Sequence, residues 1–277
     1  DASIHLYDEA HQNLIVEIYN GIKNDEFVLY YQPLFNLENR GFAKQEALIR
    51  WHHPKLGLLF PDAFIEIAEK YDAIVELDYW VIENACKTIE KWQLEKLILK
   101  PVSVNVTAKT FEDAHFIHRV ESILSKYKIP AHILEFEITE RVVIKEVEKN
   151  VATLHKLKRL GIKTTLDDFG IGYSSLSYLI NLPIDSVKID RSFIEQMSSR
   201  SEAKAIVSAI INLCQSINLL VVAEGIENYE EFEYLKNCNC EIGQGYYFSK
   251  PLTIEALEQR YLSNTEIRRL QVETEYY

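Results

Sequence analysis

Two adjacent aspartates, Asp167 and Asp168, end an apolar run and directly precede the turn sequence Phe-Gly-Ile-Gly. Paired carboxylates at a strand end form a hard oxygen site, of the kind that holds Mg²⁺ or Mn²⁺ against a phosphate ester. Other predicted strand ends carry residues that can bind a metal ion or move a proton: Glu46, Asn105, Glu137, Lys188 and Glu224. One such residue would mean little, but several at the same structural level predict a single site.

Each of these residues also has an ordinary structural interpretation. Alternating acids such as Glu135 and Glu137 usually mark the solvent face of an antiparallel sheet. Asn105 alone is more often a turn residue, and Lys188 alone is more often a surface lysine. The aspartate pair could open a turn and cap a helix. We favour a shared site because each alternative would have to hold separately at the end of a different strand.

The segment after the aspartate pair contains Gly170 and Gly172, which suit tight turns. It has neither the GK[ST] of a Walker loop nor a GxGxxG dinucleotide turn. We interpret it as a mobile flap beside the acids, with an ordinary strand-to-helix turn as the alternative. Arg50 is a candidate phosphate clamp because a guanidinium group fits phosphate oxygens, although a surface arginine is the usual default.

Eight short β-rich runs alternate with longer helical patterns, which indicates a parallel α/β architecture. The predicted strands are 27–35, 42–49, 101–107, 133–139, 163–167, 186–189, 219–223 and 243–248, and the clearest helices are 63–71, 78–93, 147–160, 201–217 and 229–236. Eight strands suit a closed TIM-like (β/α)8 barrel, whose site lies at the carboxyl ends of the strands. Only residues 36–41 separate the first two strands. That is too short for a helical crossover, so the first strand should run antiparallel.

Composition narrows the function classes. The chain of 277 residues has a formal net charge of −12, which argues against gripping long nucleic acid through phosphate contacts. The negative charge is compatible with binding of a small phosphorylated ligand through a metal ion. The four cysteines form no CxxC pair, so we expect reduced, buried thiols rather than a zinc site. Neither a signal peptide nor a membrane span is recognisable, and we expect a soluble domain in a cytosol-like compartment.

We divide the chain into a lead-in helix or linker at 1–24, one barrel domain at 25–262 and a polar tail at 263–277. The chain starts without Met inside the lead-in helix, and we expect it to be cut from a longer protein.

An ordered series of motifs along residues 25–255 resembles the EAL domain, a family of bacterial phosphodiesterases that act on cyclic di-GMP. The motifs are Tyr31-Gln32-Pro33, Glu46-Ala47-Leu48 with Ile49-Arg50-Trp51 and His53-Pro54, Val104-Asn105-Val106-Thr107, Glu137-Ile138-Thr139-Glu140, Leu166-Asp167-Asp168-Phe169-Gly170, Lys188-Ile189-Asp190-Arg191-Ser192-Phe193, Val222-Ala223-Glu224-Gly225, Gln244-Gly245-Tyr246 and Pro251-Leu252. Such an ordered series is highly specific for this family, whereas the tripeptide Glu-Ala-Leu alone would carry no information about family membership.

The resemblance implies a role for each matching position. Glu46, Asn105, Glu137 and Asp167 would bind one divalent ion, Mg²⁺ or Mn²⁺, and Asp167 with Asp168 would bind a second. The remaining roles follow in the same way: Glu224 as general base or second-metal ligand, Lys188 orienting the attacking water, Glu140 holding the flap, Gln244 supporting the water and metal site, and Gln32, Leu48, Arg50 and Pro251 contacting the dinucleotide.

The implied reaction is metal-dependent hydrolysis of cyclic di-GMP to linear pGpG. A receptor that binds this dinucleotide without cleaving it is the alternative, and the intact acids favour the enzyme. The resemblance also implies a homodimer, a cytoplasmic location and an upstream GGDEF or sensor domain, with membrane anchoring of the longer protein left open. Three residues depart from the family pattern: Ile171 in the flap, Lys44 before the signature, and Asp72. We expect Lys44 and Asp72 to be tolerated.

Overall fold

The structure is a computed structural model that describes residues 2–171 and 179–263, with the backbone alone for residues 2–12. Its centre is a closed ring of eight strands with helices outside. The strands are β1 (Phe27–Asn36), β2 (Phe42–His53), β3 (Gly57–Leu59), β4 (Val102–Asn105), β5 (Leu134–Thr139), β6 (Lys163–Phe169), β7 (Ser186–Ile189), β8 (Leu220–Ala223) and β9 (Ile242–Gly243). The ring runs β1-β2-β4-β5-β6-β7-β8-β9 and closes on β1, while β3 pairs with β2 outside it. The prediction of an eight-stranded barrel is confirmed.

The first strand runs against its neighbours, as the short connection predicts. β1 pairs antiparallel with both β2 and β9, and the other ring pairs are parallel. Asparagine side chains stabilise the connecting turn. Asn36 Oδ1 accepts the backbone N–H groups of Glu38 and Asn39 at 3.1 and 3.0 Å, and Asn39 Oδ1 accepts that of Gly41 at 2.7 Å. Such local bonds favour a tight turn over a helix.

The helices cover the outside of the ring. They are α1 (Ala2–Lys23), α2 (Ile65–Lys70), α3 (Ile74–Leu94), α4 (Ala108–Phe111), α5 (Phe116–Tyr127), α6 (Glu140–Lys145), α7 (Val147–Leu160), α8 (Arg191–Met197), α9 (Ser201–Ser216), α10 (Tyr229–Asn237) and α11 (Ile254–Leu257). Short 3₁₀ turns lie at Pro61–Ala63 and Ala131–Ile133, and a π-helical turn lies at Glu258–Leu262. The predicted end of the helix 147–160 is confirmed, since Gly161 follows it with φ 86° and closes α7 in the left-handed conformation. Among the described residues, none of the helices combines the length and apolar character needed to cross a membrane.

The predicted strand 243–248 is wrong beyond its first residue. Only Gly243 is extended, and the backbone N–H groups of Phe248 and Ser249 both donate to the Gly245 carbonyl at 3.1 Å, which makes a turn. A Cβ at Gly245 would lie 2.0 Å from the Ile226 carbonyl oxygen, so this position tolerates only glycine. The tertiary approach of Ile226 therefore overrides the β propensity of the aromatic run.

The apolar core lies between the ring and the helices. Its largest fully buried side chains include Trp51, Trp92, Tyr31 and Phe64. Burying a large apolar side chain contributes about 1.5–3 kcal/mol relative to leaving it exposed, so this shell supplies the main stabilisation of the barrel. Three of the four free cysteines, Cys86, Cys214 and Cys240, are buried in this shell, as predicted, whereas Cys238 is only half-buried.

The barrel interior also holds a polar layer beneath the predicted site. The Lys44 ammonium donates to the Glu135 carboxylate, and Thr165 Oγ1 donates to the same carboxylate. Thr165 in turn shares a hydrogen bond of 2.6 Å with Ser186. The solvent-face interpretation of the alternating acids is wrong here, because Glu135 lies inside the barrel and is 4% exposed. Lys44, which departs from the family pattern, is its buried counter-ion.

Candidate active site

The carboxyl ends of the strands bring the predicted polar residues to one mouth of the barrel. Parallel pairing places Asn105 beside Glu137 and Thr139 beside Asp167, and the same register sets Lys188 beside Val222. Since inward positions alternate along each strand, residues from five strands meet at one level. The structure therefore brings together side chains that are far apart in sequence.

Lys188 stands at the centre of four carboxylates. Its Nζ lies 2.6 Å from Glu224 Oε1, 3.2 Å from Glu46 Oε2 and 3.9 Å from Asp167 Oδ1, and it also donates to Glu137. Lys188 is 1% exposed, so the surface-lysine interpretation is wrong. One buried cation thus neutralises part of a cluster with four potential negative charges.

The electrostatics of the cluster follow from burial and crowding. Burial, and then the charge of Glu46, raise the pKa of Glu137 to about 8. Burial raises the pKa of Glu224 to about 8. The charge of Lys188 lowers this pKa, while the negative charges of Asp167 and Glu46 raise it. The pKa of Lys188 is raised well above its ordinary value because the attraction of the four acids outweighs burial. Like charges close together disfavour ionisation, so the cluster needs more positive charge than one lysine supplies.

Glu46 is the best-bonded acid of the cluster. Asn105 Nδ2 donates to Glu46 Oε1 at 2.7 Å, and Gln244 Nε2 donates to Glu46 Oε2 at 2.7 Å. Burial alone would raise the pKa of Glu46, but the charge of Lys188 and these hydrogen bonds hold it below its ordinary value. Gln244 also reaches Gln32 Oε1 at 3.1 Å, which links the acid to the cavity wall.

The aspartate pair sits on an irregular strand end. The register between β6 and β7 shifts between Leu166 and Phe169, and Asp168 has φ 54°, in the left-handed region. An irregularity of this kind re-aims side chains at a strand end. Asp167 therefore points into the cluster, while Asp168 is exposed, and its backbone N–H donates to Asp167 Oδ1 at 2.9 Å. Asp190, which the sequence reasoning did not assign, lies near enough to raise the pKa of both aspartates.

A cavity of about 510 Å³ opens beside the cluster. Its wall includes the predicted residues Gln32, Glu46, Leu48, Glu224 and Gln244, together with four side chains that sequence reasoning missed: Asp62, Arg191, Glu227 and Tyr246. Arg191 and Tyr246 stand within the series of motifs that resembles the EAL domain, and this was the available signal. The predicted substrate contacts Arg50 and Pro251 are not among the lining residues.

Arg50 is held next to this cavity by local contacts. Its guanidinium Nη1 donates to the Ile49 carbonyl at 2.8 Å, and the group lies over the rings of Tyr30 and Phe60. Arg50 is buried, and this burial lowers the pKa of its guanidinium. The surface-arginine interpretation is therefore wrong, whereas the phosphate contact stays a prediction.

A second cavity of about 470 Å³ lies on the flap side of the aspartate pair. Its lining residues include Glu140, which is predicted to hold the flap, and Asp168, which precedes the flap. Ile171, the flap residue that departs from the family pattern, lines the same cavity. Glu140 is buried at the first position of α6. The rest of the predicted flap, residues 172–178, lies outside the described residues.

The donor set at the mouth fits a divalent cation by its chemistry. It offers several carboxylates and one amide oxygen, which Mg²⁺ and Mn²⁺ prefer. Within the described residues, the buried Glu137 Oε1 has no hydrogen-bond partner, as expected of an oxygen that awaits a ligand. The side chains are nevertheless arranged around the Lys188 ammonium. In the described part of the chain, no three His, Cys, Asp or Glu residues are placed to hold a metal ion.

Comparison with known proteins decides the family. The model of the EAL domain family matches residues 15–251. The chain belongs to the EAL domain family. Among curated relatives, this EAL domain is 38% identical over 243 residues to the cyclic di-GMP phosphodiesterase NbdA of Pseudomonas aeruginosa, covering 88% of this chain and 31% of NbdA. It is 37% identical over 238 residues to the signaling protein YkoW of Bacillus subtilis, covering 86% and 30% respectively. The chain thus spans about a third of the length of these relatives.

Solved structures agree with the EAL assignment. The phosphodiesterase PaMucR in complex with c-di-GMP superimposes with a TM-score of 0.85 at 34% identity, over 88% of this EAL domain and 99% of the other chain. The EAL enzyme Bd1971, in its form bound to cAMP and cyclic di-GMP, gives a TM-score of 0.84 at 33% identity, over 91% and 69%. The TIM-like barrel with its first strand reversed is therefore the fold of this family.

Proposed function

We propose that this EAL domain hydrolyses cyclic di-GMP to linear pGpG in a reaction that depends on a divalent metal ion. The observation that carries the proposal is the convergence of Glu46, Glu137, Asp167 and Glu224 around Lys188 beside an open cavity. The names of NbdA and PaMucR as phosphodiesterases, the latter bound to c-di-GMP, support the choice of substrate.

Five residues would hold the metal ions, Mg²⁺ or Mn²⁺: Glu46, Asn105, Glu137, Asp167 and Asp168. When bound, such ions supply positive charge to the phosphoryl oxygens and increase the acidity of a coordinated water. The acidic cluster by itself repels a phosphodiester, since a single lysine stands against four acids. The chemistry of the donors and the unpartnered Glu137 oxygen support this assignment.

Two residues would handle the attacking water. We propose that Glu224 accepts its proton, because its carboxylate lies on the cavity wall beside the Lys188 ammonium. Lys188 lies 2.6 Å from Glu224, and its ammonium would donate to the water oxygen and orient it. Gln244 donates a hydrogen bond to Glu46 and would in this way support the water and the metal site. We further propose that Glu140 holds the flap.

Four residues would contact the dinucleotide: Gln32, Leu48, Arg50 and Pro251. Gln32 and Leu48 line the cavity, and their placement supports the proposal. The protein carries a net charge of −12, so local cations must offset repulsion of the two phosphates of the substrate. Arg50 is one such cation, and its guanidinium Nη1 donates to the Ile49 carbonyl at 2.8 Å.

A receptor that binds cyclic di-GMP without cleaving it is the second candidate. One observation favours it: among the described residues, no three acids are already placed for a metal ion. If Lys188 permanently occupied the centre of the cluster, the cavity could still bind the dinucleotide, but no metal ion could bind and no hydrolysis would follow. The two candidates therefore differ in turnover and not in ligand binding.

The deciding experiment is turnover by the purified chain with Mg²⁺ or Mn²⁺, with EDTA as the matched control. We expect pGpG to accumulate with either ion and to be absent in EDTA, as measured by anion-exchange chromatography. Cyclic di-GMP binding by calorimetry is measured in parallel. Tight binding with no pGpG under any metal condition would reject the enzyme and establish the receptor.

We also propose that the catalytic domain is bounded by residues 25–262, with 1–24 as a lead-in helix and 263–277 as a tail. We propose further that the domain is cytoplasmic and dimerises through helices beside the flap. Light scattering measures the mass in solution, and a monomer at all concentrations would contradict the dimer. The length of NbdA and YkoW relative to this chain supports an upstream domain such as GGDEF in the longer protein.

A further inference from the structure

Asp78 is a buried carboxylate that the proposed chemistry leaves unused. It lies in the second turn of α3 and is 6% exposed. Its Oδ2 accepts two hydrogen bonds from one residue, the Thr107 backbone N–H at 2.9 Å and the Thr107 hydroxyl at 2.6 Å. Thr107 follows Asn105, the proposed metal-binding amide, by two positions. Asp78 thus accepts hydrogen bonds from the segment that directly follows the carboxyl end of β4.

The segment from Asn105 to Thr107 is held at each of its three residues by a different element. Asn105 Nδ2 donates to Glu46 Oε1 of β2 at 2.7 Å. The Val106 backbone N–H donates to the Glu137 carbonyl of β5 at 2.9 Å. Thr107 donates twice to Asp78 of α3. The first two partners are themselves proposed metal-binding residues, so the position of this segment sets how Asn105 meets Glu46.

The Thr107 hydroxyl does not cap the helix that it precedes. Thr107 is the N-cap of α4, a position where a threonine side chain usually accepts a backbone N–H of its own helix. Here no side-chain cap bond forms, and the hydroxyl donates to Asp78 instead. α4 therefore begins at a residue that is fixed by α3 rather than by its own cap.

Keeping a carboxylate at this place is costly. Burial raises the pKa of Asp78 to about 6, and hydrogen bonds from Thr107 and Thr110 only partly offset this, while Glu69 adds to it. An amide or hydroxyl could bond to Thr107 without carrying a charge into the interior. A carboxylate is the strongest acceptor for two donors at once, which suits a rigid support.

We propose that Asp78 is a positioning residue, which fixes Thr107 and thereby orients the Asn105 amide toward Glu46 and the proposed metal ion. This inference rests on the proposed function, because it takes Asn105 as part of the metal site. Asp78 itself touches neither metal nor substrate. Its effect should appear first in metal affinity and only then in turnover.

The test compares Mn²⁺ affinity of the full chain and of Asp78→Ala by isothermal titration calorimetry, without substrate. Loss of a group bonded directly to a metal ligand typically costs about 10–100-fold in affinity. Asp78 acts on Asn105 only through Thr107, so we expect a loss near the lower end of that range, about tenfold. Asp78→Asn keeps an acceptor for the Thr107 N–H, so its loss should be smaller than that of Asp78→Ala. Thr107→Val keeps the N–H but loses the hydroxyl, and should also fall between wild type and Asp78→Ala. These two variants carry the test if Asp78→Ala does not fold.

Asp185→Ala is the matched control. Asp185 Oδ2 accepts the Thr164 backbone N–H at 2.9 Å, but it lies just before β7, at the opposite end of the barrel. We expect this variant to lose stability while its Mn²⁺ affinity stays within about twofold of wild type. Equal affinities of Asp78→Ala and wild type would overturn the proposal, and so would an equal loss in Asp185→Ala. If Asp78→Ala is unfolded, wild-type affinity in both Asp78→Asn and Thr107→Val would overturn it.

The outcome separates this inference from the proposed function. A wild-type chain that binds Mn²⁺ but leaves cyclic di-GMP intact would overturn the phosphodiesterase and leave the Asp78 comparison standing. A wild-type chain that cleaves cyclic di-GMP while Asp78→Ala binds Mn²⁺ normally would overturn only the role of Asp78. A wild-type chain that binds no Mn²⁺ would overturn both.

Discussion

The ammonium of Lys188 lies 2.6 Å from the Glu224 carboxylate, deep in the barrel mouth and among three further acids. Lys188 lies on β7 and Glu224 directly follows the adjacent strand β8. The lysine side chain is 1% exposed, whereas that of Glu224 is 21% exposed and lines the cavity. In the metal-free protein this cation is what allows the acids to share a small volume. The stability of the barrel and the chemistry of the site are therefore linked through one side chain.

Lys188→Met should strongly destabilise the metal-free protein. Removing one partner of a buried ionic cluster leaves uncompensated charge, at a cost of about 3–5 kcal/mol in the free energy of unfolding. The measurement is urea unfolding in EDTA near pH 7.5. Lys163→Met is the control, because Lys163 begins β6 as an exposed residue and its loss should change stability by less than about 0.5 kcal/mol. Equal stability of the two variants would contradict the central role of Lys188.

Glu46→Gln should abolish turnover and preserve the fold. Loss of an outer partner of a metal ligand costs about 10–100-fold, so losing a ligand should cost at least about 100-fold in kcat/KM. The amide keeps the volume of the side chain and one acceptor for Asn105 or Gln244. Turnover is measured by pGpG formation and the fold by circular dichroism. Glu38→Gln, in the exposed turn after β1, is the control and should behave as wild type. Undiminished cleavage by Glu46→Gln would remove Glu46 from the metal site.

The Lys44–Glu135 pair should show strong coupling inside the barrel. Each residue is about 5% exposed, so either single change, Lys44→Met or Glu135→Met, leaves the other charge buried without its partner. We expect each single variant to lose about 3–5 kcal/mol and the double variant to lose much less. A double-mutant cycle on urea unfolding measures this coupling. Additive losses would show that the two charges are solvated independently.

Asp78 should make the protein less stable as the pH rises from about 4 to about 6. The ordinary pKa is 3.8 and the folded pKa is about 6, so in this window the folded chain binds more protons than the unfolded chain. The free energy of unfolding then falls with rising pH, by up to roughly 3 kcal/mol over about two pKa units. Above the window the loss is complete.

Asp78→Asn lacks the titrating group and isolates this contribution. The difference in unfolding free energy, wild type minus Asp78→Asn, should decrease between pH 4 and pH 7 and then level off. Urea unfolding at several pH values measures it, and the other carboxylates cancel because both proteins carry them. A difference that stays constant with pH would show that the folded pKa of Asp78 is close to 3.8.

The sequence by itself determined the architecture and the chemical inventory of this protein. The short turn between the first two strands forced a reversed strand, because no helical crossover fits into that length. The position of Glu137 and Lys188 near predicted strand ends placed them at one level of the barrel, and the ordered motifs identified the family. These are local properties, since the length of a connection and the position of a residue along a strand can be read from neighbouring residues.

Only the tertiary structure decided which atoms meet. Strand register placed the Lys188 ammonium among the four acids, and the packing of α3 against the end of β4 made Asp78 a partner of Thr107. The sequence treats Lys44 as an isolated departure, whereas closure of the barrel brings it against Glu135, 91 residues away. Contacts of this kind depend on how the ring closes and how helices pack on it. They require the summed geometry of the whole chain, which no local pattern contains.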